Sequence, residues 1–377
     1  MSFFYSKKYD GDYCIRNIFG IKITTKPYYL KVLNNINNKM NFYNNSINNL
    51  YDKINDINKK INDVNNQINY INENNFNKDN VNFNNIYYIN KFEKPIVCTS
   101  QLCNQEFFGL PLFQYWSNII IEYWNDYIEQ AKEVNPHNMP NGILLHRKLW
   151  EFIYIIQALY ENGCLKEGKK GLGFGVGTEI LPSLFASMGC KILATDLDYN
   201  TEEAKHWLAG GQNTQNNINL LNKFKLCSDE IFNKNVSFIP LNMNNIPETL
   251  KDFDFNWSSC ALEHIGGLEN SINFLIENLK TLKSGGIAVH TTEYNLSSNT
   301  DTLLDPNCVI FREKDIKEAI KRLEKLGHYV YPLDLREGTY IADNYVDIPP
   351  YYKNNVHLRL QTAGYKTTSI GLIIRKK

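Results

Sequence analysis

The chain has 377 residues, of which 43% are hydrophobic, enough for one main domain of about 200 residues with appendages. Forty basic and forty acidic residues cancel, which removes the positive charge expected of a nucleic-acid-binding enzyme, so no nucleic-acid partner is predicted. No apolar run approaches the roughly 18 residues of a transmembrane segment, and eight scattered cysteines with no preceding signal peptide indicate reduced thiols in the cytoplasm.

Residues 1–32 are aromatic and basic, and they are predicted to form a short β-rich segment. Within it, residues 17–24 read as a strand broken by Gly20. A short β-hairpin is favoured over a peripheral contact with the inner membrane face, because no amphipathic helix is visible.

Residues 33–71 carry apolar side chains in alternating steps of three and four, which is a heptad repeat. The other positions are mostly Asn, a poor helix former, so burial of the apolar stripe against a partner must stabilise the helix. We therefore expect a coiled-coil helix over 33–76 that forms a homo-oligomer, with a trimer favoured by Ile at both core positions. The alternative is that the apolar stripe packs on the chain's own main domain. This is disfavoured because a helix roughly 58 Å long would extend beyond most domains of that size.

Residues 77–165 are predicted to be a linker followed by a helical cap. Cys98 and Cys103 are a close pair of cysteines, but without a second pair or a nearby histidine no metal site is predicted. The aromatic-rich stretch 107–131 indicates helix, and apolar residues at helical spacing predict a further helix over 146–159.

Residues 171–198 contain, in order, small residues, an apolar helical pattern and a short apolar strand that ends in an acid. In a nucleotide-binding α/β unit, glycines let the backbone approach the ligand and the acid accepts hydrogen bonds from ribose hydroxyls. Asp196 lies nineteen residues after Gly177, close to the expected separation of about 20. The stretch therefore predicts a site for a nucleotide-containing cofactor.

The glycine spacing separates two classes of cofactor. A dinucleotide fold needs G-x-G-x-x-G, and Thr178 at its third position disfavours a nicotinamide oxidoreductase. The alternating Gly173, Gly175 and Gly177 instead resemble motif I of the class I S-adenosylmethionine-dependent methyltransferases. Many members of that family carry an acid two residues before the first glycine, where this chain has Gly171. The amino group of the cofactor must then find another partner or bind more weakly.

The resemblance covers roughly residues 146–377 and implies S-adenosylmethionine as the cofactor. It implies an α/β, Rossmann-like seven-stranded sheet over 166–377 that ends in an antiparallel hairpin, preceded by the helical cap and the coiled-coil helix. Strands are expected at 236–241, 253–259, 287–292 and 367–375, and the helix before the third of these is expected to end at residues 283–286. The residues expected to bind the cofactor are Gly173, Phe174, Gly175, Gly177, Thr178, Asp196, Leu197, Asn242, Met243 and Ser259. Asn242 replaces an acid that accepts from the adenine amino group, and its amide oxygen still accepts.

Three stretches, 146–151, 171–177 and 290–295, look like bacterial methyltransferases associated with surface-polysaccharide genes. This likeness implies methyl transfer to a hydroxyl of a sugar or sugar nucleotide, in the cytoplasm or at the inner membrane face. The alternative is a catalytically weak or inactive scaffold assembled through the coiled coil. Gly171 and Asn242 favour this alternative, because each stands where the methyltransferase family has an acid.

The base that removes the acceptor's proton should come from the tips of the fourth and fifth strands, because ligands of open α/β sheets lie beyond the carboxyl ends of the strands. His264, His290 and Glu293 are the candidates. His290 is favoured because a histidine with an ordinary pKa of about 6.5 is largely neutral near pH 7. Glu293 would orient it or bind a sugar hydroxyl. Strand alternation leaves open that His290 points into a helix interface as a core residue.

Overall fold

The computed structural model describes residues 5–10, 13–18, 21–25, 98–120, 145–351 and 356–377. The chain divides into two compact units, Met1–Phe83 and Asn84–Lys377. The predicted coiled-coil helix and most of the linker lie outside the described residues, so they stay predictions.

The first unit contains an antiparallel sheet of three strands, β1 Tyr5–Asp10, β2 Tyr13–Ile18 and β3 Ile21–Thr25. Asp10 pairs with Tyr13 and Ile18 pairs with Ile21, so each connection has two residues. Such short connections are typical of β-hairpins.

The second unit is built on a mixed sheet of ten strands. In chain order these are β4 Ser100–Leu102, β5 Lys170–Gly173, β6 Lys191–Asp196, β7 Val236–Pro240, β8 Phe253–Ser259, β9 Leu282–Asn295, β12 Tyr329–Val330, β13 Leu333–Asp334, β14 Leu360–Thr362 and β15 Tyr365–Arg375; β10 Leu304–Asp305 and β11 Cys308–Val309 form a separate pair. The sheet has more strands than the predicted seven: β4, from the chain before the predicted domain, lies between β15 and β13, and β12, β13 and β14 have only two or three residues each.

The strand order is β13-β4-β15-β9-β8-β5-β6-β7. Strands β5 to β9 are parallel, and β5 lies between β6 and β8, so the order reverses beside β5. β15 is antiparallel to β9 and forms an antiparallel hairpin with β14. The fold is thus an α/β, Rossmann-like arrangement with a mixed sheet, and the reversal is the place where such sheets bind ligands.

Nine α-helices are described: α1 Gln105–Phe108, α2 Pro111–Ile119, α3 Arg147–Glu161, α4 Leu181–Ser187, α5 Lys205–Ala209, α6 Asp229–Asn235, α7 Leu268–Glu277, α8 Glu313–Lys325 and α9 Ile341–Asn344. None of them is long and apolar enough to cross a membrane. Of the predicted cap, residues 107–120 are described, and they include the buried Phe107, Phe113 and Trp116. Trp116 Nε1 donates to Gln157 Oε1 of α3 at 2.6 Å, so α2 packs on α3.

Helix α3 is capped at its N-terminus by His146, whose Nδ1 accepts a hydrogen bond from the backbone N–H of Lys148 at 3.0 Å. Eleven consecutive residues from Leu149 to Leu159 are buried, since the helix lies between the sheet and α2. Glu151 is the carboxylate among them. The helix therefore carries a charge into the interior at the end that faces the carboxyl ends of the strands.

Strand β9 begins at Leu282 and not at residue 287, so residues 283–286 do not end the preceding helix as predicted. α7 ends at Glu277 and one 3₁₀ turn, Asn278–Thr281, leads into the strand. Gly285 donates to Lys376 O at 3.0 Å and Gly286 O accepts from Lys376 at 2.9 Å. Pairing with the C-terminal residues of the chain therefore draws the two glycines into the sheet.

Candidate cofactor and acceptor site

The glycine loop follows β5 at the point where the strand order reverses. Gly175 and Gly177 have φ values of 58° and 51°, in the left-handed region that favours glycine. A Cβ atom at Gly175 would lie 2.9 Å from the Cβ of Ala261, and one at Gly177 would lie 2.4 Å from the carbonyl oxygen of Gln212. Backbone conformation and crowding by the chain's own residues therefore both require glycine at these positions.

Most of the predicted cofactor-binding residues lie at this edge of the sheet, on the loops that follow β5, β6, β7 and β8. Met243 is buried, and its sulfur would be 3.3 Å from a Cβ at Gly175. Asn242 is exposed, and its Oδ1 accepts from the N–H of Asn244 at 2.9 Å. Phe174 is an exception: its ring is fully buried against Phe274, with centroids 5.1 Å apart, so it belongs to the core.

The carboxylate of Asp196 accepts three hydrogen bonds from the protein itself. Oδ2 accepts from the N–H and the hydroxyl of Thr214, at 3.0 and 2.9 Å, and Oδ1 accepts from the N–H of Leu197 at 2.9 Å. Burial raises the pKa of Asp196 and these donors partly oppose the rise. A carboxylate has about four acceptor positions, and these three donors leave one of them open, so the role of Asp196 as a ribose acceptor stays a prediction.

Residues 212–214 therefore lie over the part of the site where the cofactor's ribose is expected. Gln212 reaches the glycine loop, Asn213 donates to Leu197 O at 3.0 Å, and Thr214 covers Asp196. The two hydroxyls of a ribose can therefore both donate to Asp196 only when Thr214 gives up at least one of its two hydrogen bonds. Gly211, with φ of 65°, precedes this segment.

Helix α3 brings a charged cluster to the same edge. Arg147 Nη1 forms an ion pair with Glu293 Oε2 and lies 3.8 Å from Glu151 Oε1, and Lys148 forms an ion pair with Glu151 Oε2. Burial alone would raise the pKa of Glu151, but Lys148 and Arg147 outweigh it and the pKa is lowered. Two cations and two carboxylates thus balance, with no net charge left among these four side chains.

The hydroxyl groups of two serines complete this cluster. Ser369 Oγ donates to Glu151 Oε1 at 2.5 Å and accepts from Arg147 at 3.1 Å, while Ser259 Oγ donates to Glu151 Oε2 at 3.3 Å. Ser259, predicted as a cofactor contact, thus hydrogen-bonds to the charged cluster, and its contact with the cofactor stays a prediction.

Glu293 has one carboxylate oxygen without a partner. The residue is only 5% exposed, Oε2 is held by Arg147, and Oε1 is buried with no hydrogen-bond partner in the described part of the chain. A buried acceptor left unpaired costs about 1–3 kcal/mol, and more when charged. Such an atom fits a donor group supplied by a ligand.

His290, the favoured base, is a core residue and the structure removes it from that role. It is fully buried, its Nδ1 is 2.8 Å from Ser258 Oγ, its Nε2 is 3.2 Å from Asn278 Oδ1, and its ring packs against Phe274. Burial lowers the pKa of His290 to about 3. With both nitrogens engaged, the side chain holds β9 to the elements beside it.

His264 lies in the 3₁₀ turn Leu262–His264 directly after β8, and its side chain is 23% exposed. Its Nδ1 lies 2.6 Å from the carbonyl oxygen of Asn307, which only accepts, so Nδ1 carries the proton and the neutral ring keeps its lone pair on Nε2. Nε2 is 4.0 Å from Glu263 Oε1. Of the three predicted bases, His264 is the most exposed, and its role as a base stays a prediction.

Sequence reasoning missed a second histidine. His357 Nδ1 is 2.7 Å from Asp347 Oδ2, and its ring stacks on His146 with centroids 4.5 Å apart. Arg147 donates its backbone N–H to His357 O at 3.0 Å, which ties this pair to the start of α3. The sequence around His357 does not indicate its contacts with Asp347 and His146, because these residues are distant in the chain. The sequence does indicate Glu151, which is an acid on the apolar face of a predicted helix.

No protein-family model matches the chain, and no curated protein matches it. Solved structures with a similar fold include the [4+2]-cyclase SpnF, at 16% identity and a TM-score of 0.32, which covers 47% of this chain; this chain spans 59% of the length of that one. Magnesium protoporphyrin IX methyltransferase from Synechocystis PCC 6803 with bound SAH is 11% identical, with 72% and 98% of the two chains covered and a TM-score of 0.38. A SAM-dependent methyltransferase from Aquifex aeolicus is 18% identical, with 66% and 98% covered and a TM-score of 0.33. Likenesses at this level do not identify an activity.

Proposed function

We propose that the chain is an S-adenosylmethionine-dependent methyltransferase that acts on a hydroxyl group of a sugar or sugar nucleotide. The observation that carries this proposal is the glycine loop at the reversal of strand order, with the glycine spacing of methyltransferase motif I. Gly173, Gly175, Gly177 and Thr178 would cradle the cofactor's amino-acid end, and Asn242, Met243 and Leu197 would contact its nucleoside. Asp196 would take the ribose hydroxyls in exchange for Thr214.

S-adenosylmethionine, when bound, supplies a methyl group on a sulfonium that is already a good leaving group. The protein must then position the acceptor and remove its proton, which are contributions of orientation and of general base catalysis. Both requirements point to the edge formed by β8, β9 and the first turn of α3.

The charged cluster supports an uncharged hydroxyl as the acceptor group. Arg147 and Lys148 are already paired with Glu293 and Glu151, so neither is free to attract a phosphate. Glu293 Oε1, buried and without a partner among the described residues, would accept a hydrogen bond from a hydroxyl of the acceptor. A sugar ring presents several such donors, and this favours the sugar over the nucleotide part of a sugar nucleotide.

His264 would act as the general base. Asn307 holds the ring through Nδ1 and leaves Nε2 as the basic atom. Trp207, whose ring centroid is 4.7 Å from that of the imidazole, forms a wall beside it. The proton would pass from the acceptor hydroxyl to Nε2 as the new carbon–oxygen bond forms.

Assembly and location remain proposals from the sequence. Residues 33–71 would hold a small homo-oligomer, a trimer by preference, around domains bounded as 1–32, 33–76, 77–165 and 166–377. The association with surface-glycan synthesis would place the enzyme in the cytoplasm or peripherally at the inner membrane face. Light scattering of the full-length protein and of a variant lacking 33–71 tests this: a full-length monomer in dilute solution contradicts the proposal.

A second candidate is a scaffold with a methyltransferase fold and little or no activity. The covering of Asp196 by Thr214 favours it, since a site closed by its own chain needs no cofactor. Calorimetry with S-adenosylhomocysteine separates the two: the enzyme binds it and the scaffold does not.

The activity is tested by a screen for donor consumption with purified protein against neutral glycans and sugar nucleotides. We expect S-adenosylhomocysteine to form with a hydroxylated acceptor, and turnover to fall by about 10²–10⁴ in His264→Gln, the range for loss of a general base. His290→Gln is the comparison variant, because it changes a histidine that lies in the core. Unchanged turnover in His264→Gln would remove that residue from the mechanism.

A further inference from the structure

Glu179 lies in the glycine loop, between Gly177 and the start of α4, and the chemistry described so far does not use it. The residue is 7% exposed, and its Oε1 accepts a hydrogen bond from Trp257 Nε1 at 2.6 Å. No hydrogen-bond partner holds Oε2 in the described part of the chain. One oxygen is therefore fixed by β8 and the other is left for a donor.

The charged groups that face Glu179 do not neutralise it. Those that act on its pKa are Lys148 and Glu151 of α3 and Asp196 at the tip of β6. Lys148 is paired with Glu151, and no salt bridge joins a cation of the described residues to Glu179. Burial accordingly raises the pKa of Glu179 to about 8.

The structure also explains why the usual acid of motif I is absent from this chain. A Cβ atom at Gly171 would lie 2.4 Å from the ring of Phe255 and 2.9 Å from the side chain of Ile192. A carboxylate at that position would be pressed into the core and away from the ligand. Glu179 offers a carboxyl group at the other end of the same loop.

We propose that Glu179 binds the α-ammonium group of the amino-acid portion of S-adenosylmethionine, in place of the missing acid at residue 171. The inference rests on the proposed function. An ammonium group brings both a positive charge and hydrogen-bond donors. It would therefore supply the cation and the donor that Glu179 Oε2 does not have among the described residues. On binding, the carboxyl group gives up its proton to solvent and forms the ion pair.

The test is calorimetry of the full-length protein with two probes. S-adenosylhomocysteine carries the amino-acid portion, and 5′-deoxy-5′-methylthioadenosine keeps the nucleoside but lacks that portion. Glu179→Gln retains an oxygen for the Trp257 hydrogen bond and removes the charge. Glu230→Gln makes the same chemical change at an exposed position on α6 and serves as the control.

We expect Glu179→Gln to lower the affinity for S-adenosylhomocysteine about ten- to hundredfold, because a charged hydrogen bond is lost. The affinity for methylthioadenosine should be unchanged. Titrations at pH 7 in buffers of different ionisation enthalpy should show about one proton released when the wild type binds S-adenosylhomocysteine. No proton should be released by Glu179→Gln or with methylthioadenosine.

Equal affinity of wild type and Glu179→Gln for S-adenosylhomocysteine overturns the inference and leaves the proposed function intact. Equal weakening of both probes also overturns it, because Glu179 would then only support the loop. If the wild type binds neither probe, the proposed function fails, and the inference fails with it.

Discussion

Thr214→Val tests whether the chain's own segment competes with the cofactor for Asp196. The substitution removes the hydroxyl that donates to Asp196 Oδ2 at 2.9 Å and keeps the backbone N–H that donates at 3.0 Å. A hydrogen bond to a charged group contributes about 1.5–3 kcal/mol. We call the arrangement in which Thr214 donates to Asp196 closed, and the one in which Asp196 is released from Thr214 open. Destabilising the closed arrangement by about 1.4 kcal/mol raises the population of the open one tenfold. The apparent affinity for a ligand that binds only the open arrangement then rises by the same factor.

We therefore expect Thr214→Val to bind S-adenosylhomocysteine up to about tenfold more tightly than the wild type, although its free energy of unfolding is lower. Calorimetry gives the affinity and urea denaturation gives the stability. Thr281→Val is the control, since it also removes a buried hydroxyl that donates, to Asn278 O at 2.7 Å, and that also accepts from Asn256 Nδ2 at 3.1 Å. Thr281 lies in the 3₁₀ turn that leads into β9 and makes no hydrogen bond to Asp196. Weaker or unchanged binding in Thr214→Val would refute the reasoning, because Thr214 would then belong to the binding-competent arrangement.

Two further predictions concern His290 and Glu293. Since the pKa of His290 is about 3 in the folded chain and near 6.5 when unfolded, the unfolded state alone takes up its proton between these values. The contribution of neutral His290 to the free energy of unfolding is complete above pH 6.5 and falls by about 1.4 kcal/mol per pH unit on acidification towards pH 3. His290→Gln should therefore flatten the dependence of the free energy of unfolding on pH, measured by denaturation. The same pH dependence in the variant and the wild type would contradict the burial of His290. Glu293→Gln should lower kcat/KM for a hydroxylated acceptor about ten- to hundredfold without changing the affinity for S-adenosylhomocysteine, and a change confined to cofactor affinity would count against its contact with the acceptor.

Elements with strong local periodicity could be predicted from the sequence. The helix expected over 146–159 is Arg147–Glu161, and the strand expected over 253–259 has those bounds, because a buried helical face and a short apolar run are local signals. The glycine loop was equally visible, since left-handed backbone at Gly175 and Gly177 demands that residue type.

The details of the site depend on contacts between distant parts of the chain. Nothing near Asp196 in the sequence indicates that Thr214 donates to its carboxylate. Nothing near Glu293 indicates that Arg147 donates to its Oε2 while its Oε1 has no partner among the described residues. The orientation of His290 was open for the same reason, because strand alternation does not say which face meets a helix. Side-chain pairing across the sheet, and not residue type, decides which candidates are free to act.

The central claim is that the glycine loop binds S-adenosylmethionine, and a calorimetric titration of the full-length protein tests it most directly. S-adenosylhomocysteine and reduced nicotinamide adenine dinucleotide are titrated separately under the same conditions. The account predicts saturable binding of S-adenosylhomocysteine at one site per chain and no binding of the nicotinamide. Binding of the nicotinamide without S-adenosylhomocysteine would contradict it.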